Sequence, residues 1–232
     1  MRGLFVTGTD TGVGKTVLSA LLLQRYRSVA PMRYWKPVQT GIEQDRLEQD
    51  SDTAEVRRLA AASDAEILNE GVRLRHPVSP HLAARIADDP INLLRLYRML
   101  PKEADASWII EGAGGALVPL TNADSMTDLI TMLEIPVMIA ARSGLGTINH
   151  TRLTVEALRA RSLFVAGVVL IGEPNAENAE AIEHYGKVPV IAQIPRFDPL
   201  TPESLGEWSK AHFDPGGHLE RLLLEQPPAE QS

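Results

Sequence analysis

The feature that most restricts the fold lies near the start of the chain, where the apolar run "GLFVTG" passes through "TDTGVGKT" into the helix-forming stretch "VLSALLLQRY". A strand that turns through flexible residues into Gly-Lys-Thr at a helix start is the layout of a phosphate-binding loop. Successive backbone N–H groups and the helix N-terminus then surround phosphate oxygens. The match to G-x-x-x-x-G-K-[ST] is incomplete, because Thr9 occupies the first glycine position and Gly8 stands one residue earlier. Gly12, Val13 and Gly14 retain the turn and its backbone donors, Lys15 is expected to reach the β- and γ-phosphates, and the Thr16 hydroxyl is expected to contact Mg²⁺. Gly8, Gly12 and Gly14 do not fall at G-x-G-x-x-G spacing, so a nucleoside triphosphate is favoured over a dinucleotide.

Beyond this loop, short apolar runs alternate with helical patterns: "MRYWKP", "SWIIEG", "IPVMIAA", "LFVAGVVLI" and "VPVIAQIP" read as further strands. Runs polar only at their ends suit strands covered on both faces. Helices are predicted at 15–27, 52–62, 79–87, 91–100, 125–133, 147–161, 176–185 and 202–211, with a last one over "LERLLLE". The fold class is therefore α/β, three-layered, with a mostly parallel β-sheet and helices on both faces, of P-loop NTPase type. A single domain over 1–225 accounts for nearly all of the 232 residues, and the polar, proline-containing 226–232 reads as a disordered tail. The acidic stretch 42–50 follows a strand, which is where an open α/β sheet binds ligands.

Charge and composition exclude several function classes. With 23 Lys plus Arg against 30 Asp plus Glu, the net charge of −7 argues against a nucleic-acid partner. The absence of cysteine removes disulfides, a thiol nucleophile and thiolate clusters, and makes the cytoplasm the expected location. No apolar run approaches the roughly 20 residues of a membrane span, and "MRGLFVTG" reads as a first strand rather than a signal peptide.

Mg²⁺ takes few protein carboxylates and shares the nucleotide's phosphates. Glu111 in "SWIIEGAGG" stands at the expected strand exit, as a Walker-B-like ligand would. Asp52 in "DSDTAEV" is a second candidate; as a residue at a helix start it competes with an N-cap role, and Asp50 is an alternative to it. Lys36, held extended by Pro37, leaves a strand where its charge would suit an anionic substrate or the charge developing in phosphoryl transfer. His150, after Asn149 at a helix start, reads as structural.

Four blocks in order, "GTDTGVGKT", "KPVQTG", "EGAGG" and "GLGTINHT", resemble the dethiobiotin synthetase family of biotin biosynthesis, and the likeness runs from residue 2 to about 196. The resemblance implies a homodimer that joins CO₂ to 7,8-diaminononanoate with ATP and Mg²⁺, closing a cyclic urea through a carbamate and a carbamic-phosphoric anhydride. By that likeness Lys15 and Lys36 are the catalytic charges, and Thr16, Asp52 and Glu111 hold the metal. Thr11 and Thr40 contact phosphate and carbamate, and Gly114 admits backbone close to the ligand. Gly146, Thr147 and Asn149 would take the substrate's tail carboxylate in the partner's site, while His81 lies in a block resembling the substrate-side loop, where a capping role and substrate contact are equal alternatives. Family members often read adenine with an Asn after the strand "VAGVVLI"; here Ile171 and Gly172 stand there and Asn175 is displaced, which leaves the nucleobase preference open. A cobalamin-type amide-forming enzyme would add a glutaminase part with a cysteine. A partitioning-type ATPase switch would carry a signature lysine where this chain has Asp10 and Thr11.

Overall fold

Strands such as "LFV" and "VVL" carry no polar face, and each must be covered on both sides. The computed structural model, which describes residues 1–42, 46, 49, 51–101 and 106–225, supplies that cover from helices on either face. The strands are β1 (Gly3–Gly8), β2 (Met32–Trp35), β3 (Val38–Thr40), β4 (Ile67–Leu68), β5 (Val72–Leu74), β6 (Ser107–Gly115), β7 (Val137–Arg142), β8 (Val165–Ile171) and β9 (Val190–Ile194). The helices are α1 (Lys15–Tyr26), α2 (Asp52–Ala60), α3 (Pro80–Ala87), α4 (Leu93–Met99), α5 (Met126–Leu133), α6 (Thr147–Arg159), α7 (Ala176–Gly186), α8 (Pro202–His212) and α9 (His218–Glu225).

The main sheet has seven strands in the order β4-β2-β6-β1-β7-β8-β9, and every pairing in it is parallel. Earlier strands lie on one side of β1 and later ones on the other, so the sheet switches direction there and opens a crevice at the carboxyl end of β1. One face packs Leu4, Val6, Tyr34, Ile109 and Val169 against α1, α2, α8 and α9. The opposite face packs Phe5, Trp35, Ile110, Ile139 and Leu170 against α3 to α7. The three predicted layers are present.

Two departures from the sequence pattern shape the site. The predicted strand "MRYWKP" stops at Trp35, since Pro37 has no N–H for the ladder, and the chain leaves the main sheet to pair β3 with β5. The pieces β3, β4 and β5, only two or three residues long, are too short to show a period. Strand β6 runs to Gly115 instead of ending at the acid: Val6 is opposite Glu111, the register then shifts, and Gly8 is opposite Gly115. Glycines in "GAGG" absorb the shift, Gly114 at φ 68°. Glu111 thus occupies the last regular rung before a bulge. The tail 226–232 and Asp50 lie outside the described residues.

Candidate active site

Side chains alternate across a strand, so Tyr34 and Lys36 leave the β2 segment on one face, the face that α1 and α2 cover. Glu111 leaves β6, the neighbour of β2, and is fully buried. The N-termini of α1 and α2 deliver Thr16 and Asp52 to the same point. Lys36 Nζ lies 2.7 Å from Asp52 Oδ2 and 2.8 Å from Glu111 Oε1, and donates to the Gly112 carbonyl at 3.0 Å. Thr16 Oγ1 donates to Glu111 Oε1 at 3.1 Å, and the Tyr34 hydroxyl donates to Glu111 Oε2, also at 3.1 Å. Asp52 is not the N-cap of α2; Ser51 accepts from the Ala54 N–H at 3.0 Å, leaving the Asp52 carboxylate for Lys36.

Burial opposes the charge on Lys36, but the Glu111 and Asp52 carboxylates outweigh it and hold the ammonium above its ordinary pKa. Burial likewise opposes charge on Asp52, and Lys36 reverses that effect, keeping the carboxylate below its usual range. Lys15 is different. Its Nζ donates to the Asp10 backbone carbonyl at 2.9 Å, and burial, reinforced by the neighbouring Lys36 charge, lowers its pKa to about 8. The ligand-free ammonium is therefore charged below that value and loses its proton as pH rises through it. ATP affinity is expected to be flat below about pH 8 and to weaken above it, while Lys15→Gln binds weakly with no such inflection. Equilibrium binding across pH 6.5 to 9.5, about 1.5 units either side of the lysine pKa, is the check.

The displaced first glycine has a steric reason. A Cβ on Gly8 would stand 2.7 Å from the Asp10 carbonyl oxygen and 3.0 Å from Lys15 Nζ, so Gly8 must be bare for the lysine to fold back over the loop. Gly14, at φ 93°, enters α1 in the left-handed region, and a Cβ there would stand 2.6 Å from Ile171 Cδ1. Asp10 fastens the loop to β7: its Oδ1 accepts the Thr11 N–H at 2.7 Å, and its Oδ2 is 2.7 Å from Arg142.

A cavity of about 730 Å³ lies over these groups. Thr11, Gly12, Gly14, Lys15, Thr16, Lys36, Thr40, Asp52, Glu111 and Gly114 all line it. Sequence reasoning missed Gln39 and the wall formed by Pro77–Pro80 and Val118. Gln39 sits in the quoted "KPVQTG", and its Oε1 accepts the Asp52 N–H at 3.2 Å. Val13 is buried and points its side chain at Gly8 rather than into the cavity. Gly146, Thr147 and Asn149 do not reach this chain's cavity: Gly146 (φ 92°) turns into α6, Thr147 is buried beside Thr151, and Asn149 is exposed. His81 Nδ1 is 3.1 Å from Ser79 Oγ at the start of α3. His150 is exposed. Asn175 caps α7 through the Asn178 N–H at 2.8 Å.

The donor set fits Mg²⁺ held jointly with a nucleotide. Two carboxylates and a hydroxyl converge, and no cluster of three or more His, Cys, Asp or Glu side chains suited to a metal occurs among the described residues. Phosphate oxygens would complete the shell around these three donors.

Comparisons with known proteins place this geometry among relatives. A family model described as an AAA domain matches residues 2–204. The ATP-dependent dethiobiotin synthetase BioD of Agrobacterium fabrum is 45% identical over 215 residues, covering 93% of this chain and 96% of the relative. The enzyme of the same name from Brucella melitensis biotype 2 is 46% identical over 202 residues, 87% of this chain and 90% of the relative. The biotin biosynthesis bifunctional protein BioCD of Bordetella avium is 46% identical over 209 residues, but the chain spans only 43% of that longer protein. Among solved structures, the septum site-determining protein MinD of Pyrococcus horikoshii, complexed with Mg-ADP, superposes with a TM-score of 0.57 at 17% identity, covering 97% of this chain and 96% of that one. At that identity the likeness is one of fold. Among the described residues, no helix is long and apolar enough to cross a membrane.

Proposed function

The chain belongs to the ATP-dependent dethiobiotin synthetase family of biotin biosynthesis, and from that premise we propose that it closes 7,8-diaminononanoate and CO₂ into the cyclic urea of dethiobiotin. The observation that carries the reading is the pair of buried lysines, Lys15 and Lys36, facing one cavity at the head of a phosphate-binding loop. One substrate amine takes up CO₂ as a carbamate, releasing a proton. A carbamate oxygen attacks the γ-phosphorus and ADP leaves. The second amine then attacks the carbamoyl carbon of the mixed anhydride, and phosphate departs with the bridging oxygen.

Each step meets a group on this chain. The loop amides and Lys15 hold the β- and γ-phosphates, and Lys36, which lines the same cavity as the loop and Thr40, neutralises the carbamate and the charge developing on the transferring phosphoryl group. Thr11 adds a hydroxyl at the loop, and Gly114 keeps the β6 backbone open to the ligand. Bound Mg²⁺, held by Thr16, Asp52 and Glu111, would neutralise phosphate charge. No group of special basicity is required, since positioning and charge supply most of the rate.

The tail carboxylate of the substrate is assigned to a second copy. At the start of α6 the Thr147 N–H is taken by the Gly144 carbonyl at 3.1 Å, so the following amides of the first turn, beside the exposed Asn149, are the donors offered to that carboxylate. Leu145, fully exposed between two glycines, and the exposed Leu153 on α6 support a surface that a partner chain covers. Asn149→Ala is expected to raise the KM for the diamine about tenfold, the cost of one hydrogen bond to a charged group, with little change in the KM for ATP. Ordinary diamine affinity would remove Asn149 from the site. With Ile171 in place of an amide reader, CTP and GTP are expected to support measurable turnover beside ATP.

Oxygen tracing tests the pathway. With ¹⁸O-labelled bicarbonate, one label should appear in the phosphate released with each cyclic product. Product formed with unlabelled phosphate would exclude the mixed anhydride.

A further inference from the structure

Glu111 has no access to solvent, yet both of its oxygens are engaged, and on opposite sides. Oε1 faces the cavity groups, receiving Thr16 at 3.1 Å and Lys36 at 2.8 Å, while Oε2 receives the Tyr34 hydroxyl at 3.1 Å. Tyr34 is itself fully buried, a member of the apolar core between the sheet and the α1 and α2 face, and stands opposite Ile109 in the β2–β6 ladder. We infer that Tyr34 is a positioning residue for the divalent-cation site: its hydroxyl fixes the inner oxygen of Glu111, committing the outer oxygen to the cavity.

An ionised carboxylate only accepts hydrogen bonds, so the phenol is the donor in this pair. Tyr34 lies on β2 and Lys36 is the first residue past its end, two positions on and on the same face, so one short stretch of chain grips both oxygens of Glu111. A ring locked in a close-packed core cannot follow the carboxylate if it turns, which fixes the carboxylate plane. Without the phenol, the inner oxygen would be buried with no donor, and the carboxylate would rotate toward the cavity or draw water into the core. Groups that orient a metal's ligands in this way contribute about 10- to 100-fold to metal affinity.

The inference rests on the reading of Glu111 as a cation ligand, and the test separates the two. Mn²⁺ binding to the ADP-loaded full chain is followed by the electron paramagnetic resonance signal of free Mn²⁺. Tyr34→Phe is expected to weaken Mn²⁺ binding about tenfold or more, to leave metal-free ADP affinity unchanged, and to move the Mg²⁺ dependence of turnover by a similar factor with kcat restored at saturating metal. In a Glu111→Gln background, Tyr34→Phe is expected to add nothing further, because it acts through that carboxylate. If Glu111→Gln weakens Mn²⁺ and Tyr34→Phe does not, or if the Tyr34→Phe loss persists in the Glu111→Gln background, the positioning role is overturned. If Glu111→Gln leaves Mn²⁺ affinity unchanged, the cation reading falls and takes the inference with it.

A merely structural Tyr34 would lower the unfolding temperature without moving the metal dependence. Should Tyr34→Phe fail to fold, the parent protein labelled with 3-fluorotyrosine gives the same answer. Its four tyrosine resonances are assigned by replacing Tyr26, Tyr97 and Tyr185 in turn. Adding Mg²⁺ to the ADP complex is expected to shift the Tyr34 fluorine resonance, and an unmoved resonance overturns the proposal.

Discussion

Lys36→Gln is expected to lower turnover by about 10²- to 10³-fold while ATP affinity stays within a few-fold of the parent, the magnitude typical of removing one preorganised stabiliser of transition-state charge. The split follows from where the charge sits. Lys36 is bonded to the Asp52 and Glu111 carboxylates and to the Gly112 carbonyl at the strand exits, not to the loop proposed to grip the phosphates. Its loss also leaves Glu111, which has no solvent access, without its cation. Breaking a buried pair costs about 3–5 kcal/mol; because the Asp52 side chain is 37% exposed, the lower end of that range is expected here. Mg²⁺ with ADP should recover part of that stability by restoring positive charge beside the carboxylates. Product formation, nucleotide titration and thermal unfolding with and without Mg²⁺ check the three parts; parental turnover would remove Lys36 from the mechanism.

Lys15→Gln is expected to act on both constants, raising the KM for ATP at least tenfold and lowering kcat by about 10²- to 10³-fold. Lys15 folds back over Gly8 to the Asp10 carbonyl, and among the described residues no carboxylate bonds it directly, so its charge remains available to the phosphates. A group that binds the γ-phosphate before and during transfer contributes to the ground state and the transition state alike. The contrast between the two lysines is informative. Steady-state kinetics in which Lys15→Gln lost only kcat, or Lys36→Gln lost mainly ATP affinity, would exchange their roles.

Much of the site was legible because its parts are local. The turn from β1 into α1 is contiguous, so Gly12, Gly14, Lys15 and Thr16 are visible from residue type and spacing. The layered, parallel fold was legible because doubly covered strands show as unbroken apolar runs. Glu111 could be picked out as an acid ahead of glycines, but its place on the last rung before a bulge depends on its register with Val6, which no local pattern encodes. Asp52 was ambiguous with a helix cap until Ser51 was seen to fill that role.

Tyr34 and Gln39 show what pattern reading loses. In "MRYWKPVQTG" the two-residue period puts Tyr34 and Lys36 on one face, yet the meaning of that face comes from the pairing of β2 with β6, strands more than 70 residues apart in the chain. Gln39 reads as an ordinary strand residue, and only the fold brings its amide to the N–H of Asp52. Asn149 is the opposite case. The resemblance singles it out, while in a single chain it stands exposed and away from the cavity.

The central claim is that this two-lysine cavity spends ATP to insert one carbon between two amines of a single substrate. Incubation with 7,8-diaminononanoate, ¹³C-bicarbonate, Mg²⁺ and ATP, read by mass spectrometry, addresses it directly. The account predicts a cyclic urea carrying one ¹³C, formed in equal amount with ADP. ATP hydrolysis at the same rate with or without the diamine, and no labelled product, would contradict it.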